Sequence, residues 1–427
     1  MSRHSGSART AAVAAALILA GTALALPGAT SLAASSRTVT IHFGIYQDPA
    51  RDVVAQKQAA LFMKTHPHIR VVVDEVPYAS YYQKLGIEMA AGSAWDVFMI
   101  NGAYFAEAAP QGRLMDLSPL IHRSHIALGG YTLDPYNSVY KGQTYALPYE
   151  LDMTALFYNK NLFRAAHVPF PKAGWTWATL SRDAKLLTRT RDGKTVQWGF
   201  YSQNLYPALT SVIAENGGSI LNGARTRSTL DTPAAIGAIR YLVSFIRDHE
   251  SPGPNSLPAG IDPLMTGKVA IVPDYSFSVL PDLKAPFQWG VAPWPKGKRY
   301  GAAYWTQGIA IFRGTHHPHA AWSFARFLMS WPAQLIQAQA RGATPSLKAI
   351  ARSTAYTKAP PTGMSAFVDQ YSQGGTAIQF NRQWFNVMGT PNAALESNLA
   401  PAWLLQERVS VAVKKASAAI DQVLAGH

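Results

Sequence analysis

Six carboxylates, Asp48, Asp96, Glu150, Asp152, Asp274 and Glu396, are spread along the chain where a fold could face two of them across a substrate. Glycoside hydrolysis needs no more than that, one carboxyl as acid and one as base or nucleophile. Sequence spacing alone cannot pair them, and caps, turns and surface charges account for several. Other catalytic signatures are missing: the chain has no Gly-x-Ser-x-Gly, no His-Glu-x-x-His and no Gly-x-x-x-x-Gly-Lys-Ser/Thr. Gly217-Gly218 reads as a turn. Of twelve histidines, the tightest group is His316, His317 and His319 beside Pro318. No nearby carboxylate completes a metal site there, so it reads as a surface loop. There is no cysteine, which excludes disulfides, thiolate zinc sites, iron–sulfur clusters, a Cys nucleophile and a lipid anchor on cysteine. Neither a catalytic centre nor a metal or cofactor is expected.

Composition narrows the rest. The chain has 427 residues, longer than one ordinary domain, and 48% apolar residues, enough for substantial cores. Lys and Arg number 38 against 24 Asp and Glu, a formal charge of +14. The basic residues are thinly spread, with no run resembling a nucleic-acid arm or a polybasic membrane patch, so nucleic acid is not an expected partner. Scarcity of carboxylates would suit an acidic milieu.

At the N-terminus, Arg3 and Arg9 precede an apolar run from Ala11 to Leu26, and Ser31-Leu32-Ala33 supplies small residues for a signal peptidase. Residues 1–33 are therefore expected to be a signal peptide cleaved near Ala33. The run is short and Ala-rich for a bilayer span, which is the alternative.

The elements that must position any site alternate. Arg37 to Ile45 reads as a buried strand, Val53 to Phe62 as a helix stopped by His66-Pro67, and Ile69 to Val76 as a β-branched strand. Tyr82 to Met89 fits a second helix closing near Gly92, and Trp95 to Ile100 a third strand. Such order implies parallel strands with right-handed crossovers. Ala146–Tyr149, Ala155–Tyr158, Trp289–Ala292 and Gly308–Phe312 also read as extended. Thr176 caps a helix through Leu187, Thr232-Pro233 opens one through Ile246, and another runs from Pro318 to Met329.

An ordered series of short motifs carries a resemblance. It includes Val76-Pro77-Tyr78, Ala91-Gly92 with Asp96-Val97-Phe98, and Gly142-x-Thr144-Tyr145-Ala146-Leu147-Pro148. It continues through Ala155-Leu156-Phe157-Tyr158-Asn159-Lys160-Asn161-Leu162-Phe163 and Thr176-Trp177 to Gly267-Lys268-Val269-Ala270, Gly290-Val291-Ala292-Pro293 and His317-Pro318-x-Ala320-Ala321-Trp322. Over nearly all the mature chain the sequence resembles the family-1 extracellular solute-binding proteins, which include the maltose-binding proteins of ABC importers. The resemblance implies an α/β, two-lobed periplasmic-binding-protein-like fold of type II. Each lobe would be a largely parallel sheet flanked by helices, with the ligand cleft at the hinge. It implies crossings near Leu147–Leu151, Pro293–Gln307 and Gly342–Pro345, an N-lobe of 37–148 and 302–343, and a C-lobe of 149–301 and 344–427.

It also implies site residues. Asp152, six residues before Tyr158, matches an acidic acceptor of sugar hydroxyls. Tyr206, Phe277 with its neighbour Tyr275, and Trp384 match aromatic stacking positions; the alternative for each ring is the core. Strand ends, where open α/β sheets bind ligands, add Gln47, Asp48, Tyr78, Tyr81, Asn101, Tyr104, Tyr304 and Trp305. The chain lacks the charged pair of the maltose type between Asn101 and Tyr104. The implied function is capture of a sugar or oligosaccharide by a monomer exported to the periplasm or beyond, for ABC permease subunits. The rivals are a secreted carbohydrate-active hydrolase, a binder of polyols or glycerol phosphate, and a sensor that signals to a receptor.

Overall fold

Ile41, Phe43 and Ile45 are fully buried, as alternation in the first strand requires. The computed structural model describes residues 38–203, 208–254, 256–258 and 261–426; the N-terminal segment expected to be a signal peptide lies outside them. Strands β1 (Val39–Gln47), β2 (Ile69–Pro77) and β3 (Val97–Ile100) follow one another with the helices Pro49–Thr65 and Tyr78–Ala91 between them. β1 pairs in parallel with both β2 and β3. The second helix ends at Gly92, whose φ of 79° places it in the left-handed region that glycine tolerates.

A short hairpin, β4 (Val139–Tyr140) and β5 (Gln143–Thr144), leads into the long β6 (Ala146–Asn159). A second hairpin joins β7 (Arg189–Arg191) to β8 (Lys194–Phe200). β9 (Val269–Tyr275), β10 (Trp289–Ala292) and β11 (Ala303–Ile311) follow, then the two-residue β12 (Thr344–Pro345) and β13 (Thr376–Ala377). Side-chain caps start two of the helices: Thr176 accepts from the Thr179 amide, and Thr232 accepts from the Ala235 amide ahead of Pro233.

Hydrogen-bonded neighbours run β2-β1-β3-β11-β6-β9-β8-β7. Parallel pairing lies toward the flanks, β1 with β2 and β3 on one side and β8 with β9 on the other. The middle, β3–β11–β6–β9, is antiparallel. β6 is buried along its whole length. Its first part pairs with β11 and its second with β9 and β10, so one strand passes through both halves of the fold. Two apolar clusters sit on either side of that passage. One gathers Phe43, Phe62, Phe98 and Phe324; the other gathers Phe157, Phe200, Phe245 and Phe367. Among the described residues no helix is long and apolar enough to cross a membrane.

Gly44, on the central strand of the first half, shows how tight the packing is. A Cβ there would lie 2.2 Å from Cε3 of Trp95, whose ring stacks on Tyr81 at 5.3 Å. Gly44→Ala is therefore expected to lower the unfolding free energy by about 1–3 kcal/mol. Denaturant titration should show a lower midpoint at unchanged slope; an unchanged midpoint would mean that the indole yields freely.

Candidate functional site

β1 ends at Gln47, and Asp48 starts the next helix. Its Oδ1 accepts from the Arg51 amide at 3.2 Å, while Asp52 Oδ1 accepts from the Asp48 amide at 3.1 Å. This reciprocal cap fixes the first turn and aims Arg51 inward. Only 6% of Arg51 is exposed. Its Nε and Nη2 donate to Glu150 Oε1 at 2.9 and 2.5 Å, and Asp152 Oδ1 and Asp48 Oδ2 stand 3.7 and 3.6 Å from the guanidinium. The same group lies over the rings of Tyr46, at 4.8 Å, and Phe277, at 5.5 Å.

Around it is a cavity of about 770 Å³. Tyr46, Gln47, Asp48, Arg51 and Tyr78 line one side, with Asn101, Ala103 and Tyr104 beside them. Tyr275, Phe277, Trp305 and Gln307 come from β9, its extension and β11, and Phe380, Trp384, Phe385, Gly389 and Thr390 from the late segment. The rings brace one another. Tyr275 stacks on Phe277 at 5.1 Å and meets Trp305 edge-on at 4.7 Å, and Phe380 meets Trp384 at 4.7 Å. Tyr104 stacks on Tyr82 at 3.5 Å and faces Phe385 at 5.2 Å. Asn101 caps the helix Gly102–Ala108 by accepting from the Tyr104 amide. Gly102 is required there, because a Cβ would lie 2.1 Å from Cδ2 of Phe380.

Gln47, Asp48, Tyr78, Asn101, Tyr104, Tyr275, Phe277, Trp305 and Trp384 thus come together on one cavity wall. Trp384, 4% exposed, also borders a second cavity of about 420 Å³. Asp152, Tyr304 and Tyr81 stand elsewhere. Asp152 is fully buried behind the wall; its Oδ2 accepts from Gln307 Nε2 at 2.9 Å, so Gln307 holds the lining position instead. Tyr304 points to the other face of β11 from Trp305 and lines the second cavity, as the two-residue strand period dictates. Tyr206 lies outside the described residues. Tyr81 is buried, donating to the carbonyls of Gly44 and Met99. Residues not anticipated are Tyr46, Arg51, Ala103, Gln307, Phe380, Phe385, Gly389 and Thr390. The first two flank the strand end already singled out, and the period-two neighbour of Trp305 is Gln307.

Burial opposes the charges behind the wall. It pushes the Asp152 carboxyl up to about 7, helped by the charge of Glu150. Glu150 is also raised by burial, against the pull of Arg51, and Gln337 Nε2 satisfies its Oε2 at 2.8 Å. Arg51 itself is held charged more firmly than usual: burial works against it, but Glu150, Tyr46, Asp152 and Asp48 outweigh that. Asp134, fully buried, is likewise pushed up to about 7 by burial. Unfolded aspartates titrate near about 3.9. The folded chain therefore binds more protons between about pH 4 and pH 7, and the stability present in acid is lost as pH rises through about 7. The melting temperature should be higher at about pH 5 than at about pH 8, and Asp134→Asn should narrow the difference. A melting temperature that climbs over that interval would contradict the burial of these carboxyls.

Residues 46–335 match the bacterial extracellular solute-binding protein family. The galactooligosaccharide-binding protein of Bacillus subtilis is 25% identical over 330 residues, covering 74% of this chain and 75% of that protein. An ABC substrate-binding protein from Listeria monocytogenes in complex with cycloalternan superposes with a TM-score of 0.79 at 24% identity, over 91% of this chain and 99% of that one. The cyclic alpha-maltosyl-1,6-maltose binding protein from Arthrobacter globiformis gives a TM-score of 0.78 at 18% identity, over 91% and 100%. These likenesses agree with the two-lobed type II architecture, and the chain belongs to the bacterial extracellular solute-binding proteins.

Proposed function

We propose that this chain captures a sugar or oligosaccharide in the aromatic cavity and hands it, chemically unchanged, to the permease of an ABC transporter. The observation that carries this is the wall itself: nine aromatic rings with Gln47, Asp48, Arg51, Asn101 and Gln307 between them. Ring faces take the C–H faces of a sugar, and amides and charged groups take its hydroxyls. Similarity to a galactooligosaccharide-binding protein supports the same ligand class.

The carboxylates argue for capture over hydrolysis. Asp48 is the one carboxylate among the lining residues, whereas Glu150 and Asp152 lie behind the wall, bound by Arg51, Gln337 and Gln307. Hydrolysis would need two on opposite sides of the glycosidic bond. A phosphate-bearing ligand fits less well, because the Arg51 guanidinium is already spent on Glu150. With 37–148 plus 302–343 as one lobe and 149–301 plus 344–427 as the other, closure would turn about β6 and β11. Export with loss of residues 1–33, and action as a monomer, belong to the same reading.

Titration calorimetry against a panel of oligosaccharides tests it. Trp305 is part-buried and Tyr78 is 54% exposed, so truncating either should leave the fold intact. Each loses apolar contact worth about 1–3 kcal/mol, and Trp305→Ala and Tyr78→Ala should weaken binding about five- to a hundredfold. Wild-type affinity in both variants would place the ligand somewhere else.

A further inference from the structure

Three carboxylates outside the cavity wall converge beside β9. Asp262 precedes β9, Asp274 lies near its end, and Asp282 closes the short helix Val279–Asp282. One oxygen from each lies within 4.8 Å of the other two. Asp274 is buried, and Asp282 is only 3% exposed. Asp274 Oδ1 accepts from the Tyr275 amide and the Ser278 hydroxyl, both at 2.7 Å, and Asp262 Oδ1 accepts from the Leu264 amide at 2.7 Å. Asp282 Oδ2 is buried and has no hydrogen-bond partner among the described residues. The charges acting on Asp282 are the carboxylates of Asp262 and Asp274, with no Lys, Arg or His among them. In a chain of net charge +14, Asp282 thus meets only like charges among the described residues. Buried like charges of this kind are held together by a cation or by shared protons.

We infer that Asp262, Asp274 and Asp282 form a calcium site that pins the segment carrying Tyr275 and Phe277. The donor set is all oxygen, which suits a hard cation and not zinc. Two oxygens bound to one calcium at about 2.4 Å can stand as much as twice that apart, so the spacing needs little adjustment; magnesium demands shorter bonds and stricter octahedral geometry. Backbone carbonyls and water would complete the shell. Residues 274–282 would then be tied at both ends by one ion. Between those ends lie the stacked rings of Tyr275 and Phe277 on the cavity wall. The site does not depend on what the cavity binds.

Terbium provides the test, because Trp289 Nε1 donates to the Asp282 carbonyl at 3.0 Å and its indole can sensitise a lanthanide bound there. In chelator-treated mature protein, terbium should luminesce on indole excitation and be displaced by calcium. Calcium should raise the melting temperature by several degrees, and magnesium at equal concentration by much less. Asp282→Asn removes one charged ligand, so calcium should bind about tenfold more weakly or worse. In chelator, where it only relieves repulsion, the variant should melt no lower than wild type. Wild-type protein with neither terbium luminescence nor a calcium-dependent melting shift would overturn the site. So would an Asp282→Asn variant that keeps the full calcium shift.

Discussion

A buried guanidinium constrains this fold more than any other single group. Taking Arg51 out of water costs several kcal/mol, and only close, directional partners repay it. Those partners arrive from three parts of the chain: the cap residue Asp48, the β6 residues Glu150 and Asp152, and the rings of Tyr46 and Phe277. Glu150 is held in turn by Gln337, and Asp152 by Gln307. The start of the first long helix, the middle of β6 and a wall of the cavity are therefore fixed against one another. Losing one member would strand a buried charge, at a cost of about 3–5 kcal/mol.

This network lies where β6 leaves β11 for β9, so a buried polar cluster sits where the chain crosses between its halves. Beside it, nine of the seventeen residues lining the cavity are aromatic. Rigid rings lose little freedom on binding, and polar groups already held from behind need little reordering, which favours capture over distortion of a ligand. Gln307 shows the division of labour: it faces the cavity while its amide is anchored on Asp152.

Much of this was legible in sequence. Alternation marked β1, and the β-branched run marked β2; Thr176, Thr232 and Gly92 announced helix ends by local chemistry that needs no tertiary context. Strand ends pointed to Gln47, Asp48, Tyr78 and Trp305, which the fold brings to one cavity. The continuity of β6 was hidden, because Glu150, Asp152 and Thr154 interrupt its apolar pattern, and the groups that satisfy them come from residues far away in sequence. Arg51 was hidden for the same reason, since a basic residue in a first helical turn ordinarily faces water. The hairpin at Asp192-Gly193 carried a readable signal, both residues having positive φ, as a two-residue turn between strands prefers. Tyr304 and Trp305 could be told apart only once the register of β11 was known.

The central claim is that the ringed cavity holds a sugar and does no chemistry on it. Equilibrium dialysis of the protein against its tightest-binding oligosaccharide, followed by chromatography of the recovered ligand, tests this most directly. The account predicts saturation at one ligand per chain and recovery of the sugar at its original length. Shorter sugars in the recovered fraction, or no saturable uptake of any oligosaccharide, would contradict it.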